Sequence, residues 1–345
     1  MKKLITILMT VLMAFGVVAM SGCGGTTNIT IYTGGTGGTY YAFTNGLQTQ
    51  LAKKTDYTYT VVGDTGGSVA NLKAIHSGDC KMAIVQNDTM VNAYNGLTQN
   101  FAQTGAITNF SVVGQVYPEV IQIVTDDANI KTLADLKGSG KSVSIGDVGS
   151  GVEANAVALL KKYGIDITFN ETEKKYISTD IVIQNLSVAK SADAMKDGKL
   201  SVFFFTSGAP ATSITELAVN NTIYMLGLSD DVMDEFISEN KIDNKYDVYS
   251  KQPITNAQYS FIPTDKPIYT IGVSATYIIS NSLSEEVVYN ITKAIWESKG
   301  SIGHSVESTM NTDYAFVTIG NVPVHPGAAK YYRELGLTVN NVAQI

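Results

Sequence analysis

The segment Thr33-Gly34-Gly35-Thr36-Gly37-Gly38-Thr39-Tyr40-Tyr41 sets four glycines between a β-branched run at Ile29–Ile31 and a stretch where Phe43, Leu47 and Leu51 recur at helical spacing. A glycine loop that leaves a strand and opens a helix turns backbone N–H groups outward at the positive end of the helix dipole. That arrangement suits an anion, either a nucleotide phosphate or a smaller carboxylate. Two known phosphate motifs are approached and missed. Gly35-x-Gly37 begins a dinucleotide fingerprint, but Tyr40 occupies its third glycine position and no acidic residue is placed for a ribose. Gly138-Ser139-Gly140-Lys141-Ser142 ends like a nucleotide-binding P-loop, yet Asp135 stands where its first glycine is required and the segment precedes a strand, so it reads as a helix-to-strand turn.

Other chemistries find less support. His76, His304 and His325 are scattered without ligand spacing, and no metal or other cofactor is expected. Glu153 and Asp147 lie near a second glycine loop, but a carboxylate pair without a poised His or Lys is ordinary in a cleft, and no Gly-x-Ser-x-Gly elbow occurs. Ser68 and Ser150 read as hydrogen-bond donors rather than nucleophiles, and no enzyme activity is expected. Of the 19 tyrosines, Tyr40 and Tyr117 stand out because they flank the glycine loop and a proline-kinked extended segment.

The elements that would position these residues come in an order that occurs twice. Ile29–Thr33, the loop Gly34–Thr39, a helix from about Tyr40, the strand Tyr57–Val62, the loop Gly63–Ser68, a helix through Val69, Leu72 and Ile75, and the strand Met82–Val85 make the first round. Gln86-Asn87-Asp88 follow it. The second round is Ser142–Ile145, the loop Gly146–Gly151, a helix through Val152, Ala156, Leu159 and Tyr163, a short strand at Tyr176–Ser178, a helix from Ser187 to Met195, and the strand Leu200–Phe205. Thr206-Ser207-Gly208 follow that. Ser68 to Ser187, Gly78 to Gly198 and Gln86 to Thr206 are each offset by 119 or 120 positions, and Gly38 to Gly151 by 113. Alternating strands and helices imply parallel βαβ units, and two copies imply two α/β lobes. Ligands in open α/β sheets sit at the carboxyl ends of the strands, where both sets of glycine loops fall. Facing each other, they would enclose a small polar ligand. Val112–Val116 and Val120–Thr125 flank Tyr117-Pro118-Glu119, a plausible hinge.

Composition fits this picture. The 345 residues allow two lobes, and a net charge of −7 without basic runs argues against nucleic acid as a partner. Arg333 is the only arginine. At the start, Lys2 and Lys3 precede an apolar stretch from Leu4 to Met20 and then Ser21-Gly22-Cys23. A small-residue pair before a cysteine resembles a bacterial lipobox, so residues 1–22 are expected to be a lipoprotein signal peptide and Cys23 the lipidated N-terminus. Cys80 is left without a disulfide partner and is expected to be buried.

Ile31-Tyr32-Thr33-Gly34-Gly35-Thr36-Gly37-Gly38-Thr39-Tyr40-Tyr41, Thr65-Gly66-Gly67-Ser68-Val69-x-Asn71-Leu72 and Met82-Ala83-Ile84-Val85-Gln86-Asn87-Asp88 together resemble the TAXI family of solute-binding proteins. These serve tripartite ATP-independent periplasmic (TRAP) transporters. Tyr117-Pro118-Glu119, Leu133-Ala134-Asp135-Leu136-Lys137-Gly138, Gly149-Ser150-Gly151-x-Glu153 and Val322-Pro323-Val324-His325-Pro326-Gly327-Ala328 continue the match in order. The resemblance implies a two-lobed α/β fold of the type II periplasmic-binding-protein kind, each lobe a sheet flanked by helices, with a cleft and hinge between them. It implies a monomer that captures a glutamate-like amino acid or other small carboxylate and delivers it to a TRAP permease, touching the membrane through its N-terminal lipid. The lobes are expected over 23–117, with roughly 222–265 and part of the C-terminus returning, and over 118–221, with roughly 268–290 returning. Residues 291–345 form a helical closure. The sequence departs from the family at Val152, where threonine is usual, at Asp64, where a small or neutral residue is common, and at Asn87, where serine is usual. The expected ligand-binding residues are Gly37, Gly38, Thr39, Tyr40, Gly67, Ser68, Gln86, Asn87, Tyr117, Ser150, Gly151, Glu153 and Thr206. Glycine-loop N–H groups hold the carboxylate with the hydroxyls of Thr39, Ser68, Tyr117 and Ser150, and Gln86 and Asn87 read the polar end. Arg333 is expected to be a solvated residue paired with Glu334 or its neighbours. A binding lipoprotein for an ABC importer or a sensor kinase, or an enzyme on the same fold, is the alternative.

Overall fold

The computed structural model describes residues 27–345; residues 1–22, expected to be a signal peptide, and Cys23 lie outside them. In chain order the strands are β1 (Asn28–Tyr32), β2 (Thr58–Val62), β3 (Met82–Gln86), β4 (Phe110–Thr125), β5 (Ser142–Ser144), β6 (Thr168–Asn170), β7 (Lys175–Ile177), β8 (Val182–Gln184), β9 (Val202–Ser207), β10 (Tyr224–Met225), β11 (Ser250–Ile254) and β12 (Ile268–Ser280). The helices are α1 (Thr39–Lys54), α2 (Ser68–Ser77), α3 (Asn87–Asn95), α4 (Gly151–Lys162), α5 (Val188–Lys196), α6 (Thr212–Asn220), α7 (Asp230–Glu239), α8 (Glu285–Trp296) and α9 (Pro326–Glu334).

The main sheet runs β2-β1-β3-β12-β4-β9-β5-β8. Its two ends have the same construction. β1, β2 and β3 are parallel and β12 closes them antiparallel; β5, β8 and β9 are parallel and β4 closes them antiparallel. The internal repeat is therefore real, with one amendment. The parallel strand of the second round is Val182–Gln184, whereas residues 175–177 pair antiparallel with 168–170 in a separate two-stranded ribbon. Tyr176 carries a β-former signal, but a ribbon satisfies that signal as well as a sheet does.

β4 and β12 join the two ends. β12 pairs β11 and β4 near Gly272, then β3 from Ala275 to Ile279, and β4 takes β9 as its second neighbour from Val120 onward. β4 gives Val112 and Val116 to one lobe's core and Ile121 and Ile123 to the other's, and β12 gives Ile271 and Ala275 to opposite cores, so each strand crosses from one lobe to the other. Pro118, which has no N–H to give a ladder, sits exposed at the crossing.

Each lobe is built on burial from both faces of its sheet. In the second lobe Ile121, Ile123, Val202 and Phe204 enter one core and Val120, Val124 and Phe203 the other, the period-two alternation of a strand between two helix layers. The first lobe has one large core holding Ile31, Phe43, Leu72, Ile84 and Tyr277, together with α8, α9 and the C-terminal turns.

The segment 222–265, expected on the first lobe, lies mainly against the second. Tyr224 and Met225 pair with β4, Met233 and Phe236 enter one second-lobe core and Tyr259 and Ile262 the other, while Ile242 and Val248 reach the first-lobe core. The segment 268–290, expected on the second lobe, is divided. Ile271 packs in the second lobe and everything from Ala275 through α8 in the first. A stretch of alternating apolar residues fixes a strand but not which lobe each half of a long one serves.

Candidate functional site

Gly38 and Gly67 hold the N-cap positions of α1 and α2, and neither helix has a side chain capping its first turn. The leading N–H groups are therefore left for something outside the helix, and the dipole favours an anion there. Gly67 has φ 87°, a left-handed conformation that suits glycine, and its Cα faces Ser150 of the opposite lobe. Across the gap α4 begins at Gly151 behind Ser150, whose Oγ accepts from the Glu153 N–H.

These three helix starts enclose a cavity of about 70 Å³. The first lobe contributes the glycine loops at 34–38 and 66–67 with Thr39, Tyr40, Ser68 and Gln86. The crossing strand β4 contributes Glu119. The second lobe contributes Gly146, Asp147, Ser150, Gly151 and an apolar wall of Val152, Leu186, Val188, Phe204 and Phe205, with Thr206 and Ser207 beside it. No lysine, arginine or histidine is among these residues. The lobes touch around the cavity: Thr39 Oγ1 donates to Gly208 O (3.2 Å), Ser213 Oγ to Gly37 O (3.4 Å), and Asn155 Nδ2 to Asp88 Oδ2 (2.8 Å).

Of the residues singled out from sequence, Gly38, Thr39, Tyr40, Gly67, Ser68, Gln86, Ser150, Gly151 and Thr206 line this cavity. The remaining four lie outside its lining. Gly37 packs against Ser213 and Ala189 of the other lobe. Asn87 is a buried bracket: its amide N–H donates to Val248 O and Thr318 O, and its Oδ1 accepts from Ser274 N–H. Tyr117 stands edge-on to Phe43 with its hydroxyl buried and without a partner. Glu153 braces the second glycine loop, accepting from Gly149 N–H (2.8 Å) and Asn185 Nδ2 (2.9 Å). Some cavity hydroxyls also have protein partners already: Thr206 Oγ1 donates to Asn155 Oδ1 (3.1 Å), and Ser68 Oγ accepts from Gln86 N–H (3.0 Å).

Glu119 is among the cavity residues that sequence reasoning passed over. It is 1% exposed, and the Tyr40 hydroxyl donates to its Oε2 at 2.6 Å. Burial pushes its carboxyl up from the ordinary 4.5 to about 8, with the Tyr40 hydrogen bond opposing and Asp88 adding to the rise. A signal was present: Glu119 is the only charged residue in the sixteen of β4. Burial also raises the Asp147 carboxyl on the opposite loop, with nearby Lys190 opposing and Asp64 adding to the shift.

Arg333 is exposed, as expected, but its partner is not Glu334, and Asp64 is engaged within the first lobe. Asp64 serves its own loop, accepting from the Thr36 N–H at 3.0 Å. Arg333 donates through Nη2 to Val339 O, while Glu334 accepts from the Tyr289 hydroxyl instead. Lys141, at the end of the P-loop-like stretch, pairs with Asp127 at 2.7 Å in a turn before β5. Among the described residues no cluster of three or more His, Cys, Asp or Glu is placed to hold a metal, and no helix is long and apolar enough to cross a membrane.

A cleft between two α/β lobes joined by crossing strands defines the class as periplasmic-binding-protein-like. Residues 31–336 match the NMT1-like family, and the chain belongs to that family. A solved structure from Bordetella bronchiseptica RB50 superimposes with a TM-score of 0.50 at 14% identity, over 92% of this chain and 85% of the other. The alkanesulfonate-binding protein SsuA from Xanthomonas axonopodis pv. citri, bound to MOPS, gives 0.48 at 15% over 90% and 83%. An ancestral arginine-binding protein bound to arginine gives 0.47 at 14% over 82% and 98%. At such identities the likeness concerns the fold.

Proposed function

We propose that the protein is an extracytoplasmic solute-binding protein, anchored through a lipid on Cys23, that closes two lobes around an amino acid or related small carboxylate. The ligand is then handed unchanged to a membrane permease. The observation that carries this is the cavity itself. Two helix N-termini without side-chain caps open into an enclosed space between lobes, with no cation there to compete for the anion. Closure is favoured because the ligand contacts both lobes at once. The motifs shared with the TAXI family favour a TRAP permease as the partner over an ABC importer or a sensor kinase.

The test is mass spectrometry of small molecules that co-purify with the mature chain, followed by a thermal-shift screen of amino acids and mono- and dicarboxylates. At least one small carboxylate is expected to raise the melting temperature by several degrees, as linkage requires of a ligand that binds only the folded state. A screen in which none does would sink the reading. Arg333, tied to Val339 at the C-terminal end, lies outside the cavity lining, so Arg333→Ala is expected to leave the affinity of any such ligand unchanged.

A further inference from the structure

The cavity has acceptors that no protein group satisfies. Gln86 Oε1 is buried against Gly151 at the start of α4 and has no hydrogen-bond partner there. Glu119 spends Oε2 on the Tyr40 hydroxyl, and among the described residues nothing donates to its other oxygen. Both residues line the same cavity, on strands that flank β12: Ala275 pairs with Gln86 on one side and with Tyr117, two residues before Glu119, on the other. Two strand spacings across and two residues along place their backbones about 12 Å apart, a gap that two long side chains and a small group between them can span. Leaving a buried acceptor unpaired is costly, and a buried carboxyl without a cation beside it avoids the larger cost of ionising by keeping its proton. An ammonium group brings three donors and a positive charge.

We propose that Glu119 and Gln86 form a subsite for the ammonium group of the ligand, so that the protein selects α-amino acids over the corresponding des-amino carboxylates. The inference rests on the reading of the cleft as a solute site. The ligand carboxylate then lies on the N–H groups that open α1 and α2, and the ammonium faces the strand ends beneath them. The titratable groups facing Glu119 are Tyr40 from α1, Tyr117 on its own strand and Asp88 from α3, none of them a cation. A cation able to draw out the Glu119 carboxylate would therefore come from the ligand.

The sign of a proton exchange distinguishes this from a cleft built for a dicarboxylate. Glu119 stays neutral up to about pH 8 before ligand arrives. An arriving ammonium draws out the carboxylate, so binding at pH 7 releases a proton. A second carboxylate set against Glu119 would instead keep the proton in place or take one up.

The experiment is calorimetry on the mature wild-type chain in buffers of different ionisation enthalpy, with matched pairs: L-glutamate and glutarate, L-glutamine and glutaramate, L-leucine and 4-methylpentanoate. In whichever pair binds, the amino acid is expected to bind roughly 100-fold tighter than its des-amino partner and to release a proton. Glu119→Gln, which keeps an acceptor for Tyr40, is expected to shrink that ratio to about tenfold or less. Equal binding of both members of a pair, or proton uptake by the amino acid, overturns the ammonium subsite and leaves the solute-binding reading standing. No binding by any member overturns the solute-binding reading itself. The wild-type proton count stands even if the variant fails to fold.

Discussion

Glu119 couples the cavity to the stability of the fold. Its carboxyl ionises near 8 in the folded chain and near the ordinary 4.5 once unfolded. Between those pH values the folded state holds a proton that the unfolded state has lost. Stability contributed through this residue is therefore fullest at or below 4.5, falls as pH rises towards 8, and levels off above it. Glu119→Gln removes the titration while leaving an oxygen to accept from Tyr40. The ligand-free variant is expected to melt a few degrees above the wild type at pH 8, and the gap should narrow as the pH approaches 4.5. Melting curves at the two pH values check this, and a gap of the same size at both would exclude the residue as its source. Buried His325 contributes an opposite slope over part of the same range, because burial lowers its imidazole to about 4 and acid must protonate the unfolded chain first. The comparison must therefore be made between variant and wild type, not read from the wild-type curve alone.

Elements in this chain owe their positions to close approaches as much as to apolar pattern. α9 begins at Pro326 behind His325, whose Nδ1 accepts from the Gly327 N–H. Gly327 lies so near α8 that a Cβ there would meet the carbonyl of Glu285 and the N–H of Tyr289, both backbone atoms that cannot swing aside. Gly327→Ala is expected to pry α9 from α8 and lower stability by about 1–3 kcal/mol, read as a loss of melting temperature with secondary structure retained. An unchanged melting temperature would mean the two helices are free to separate. Such contacts bear on what the sequence could disclose. Glycine loops, helix faces and strand runs were legible because their signals are local: Gly78 closes α2 in the left-handed conformation that its place after a helical stretch predicts. Missing were α3, whose polar start at Asn87 reads as loop, and β8, whose three residues carry too little pattern. Of the cavity lining, the glycines and most hydroxyls could be anticipated because loop composition exposes them. Glu119 could not be separated from an ordinary hinge residue, since its meaning depends on Tyr40, 79 positions away.

The molecule as a whole is arranged so that its two lobes meet around the cavity. β4 and β12 are the crossing strands, and a pair of antiparallel strands between lobes bends more readily than either lobe deforms. What limits closure is how near the facing loops can come. Gly67 meets Ser150 in ordinary contact, and Gly151 lies directly against the Gln86 side-chain amide, with no room for a Cβ between them. The Gly151 position is thus where the closest approach of the lobes falls on the Gln86 side-chain oxygen, which has no hydrogen-bond partner. Gly151→Ala adds one methyl at the start of α4, where alanine is a good helix residue, so the second lobe should fold normally. In the closed state that methyl displaces the Gln86 amide or holds the lobes apart. The expected result is ligand affinity reduced at least about tenfold with the ligand-free melting temperature within a few degrees of wild type. Small-angle scattering at saturating ligand should also show less compaction for the variant than for the wild type. If the variant closes fully and binds as tightly, the approach of Gly151 to Gln86 does not limit the closed state, and the lobes meet through Thr39, Gly208 and the Asp88–Asn155 contact instead.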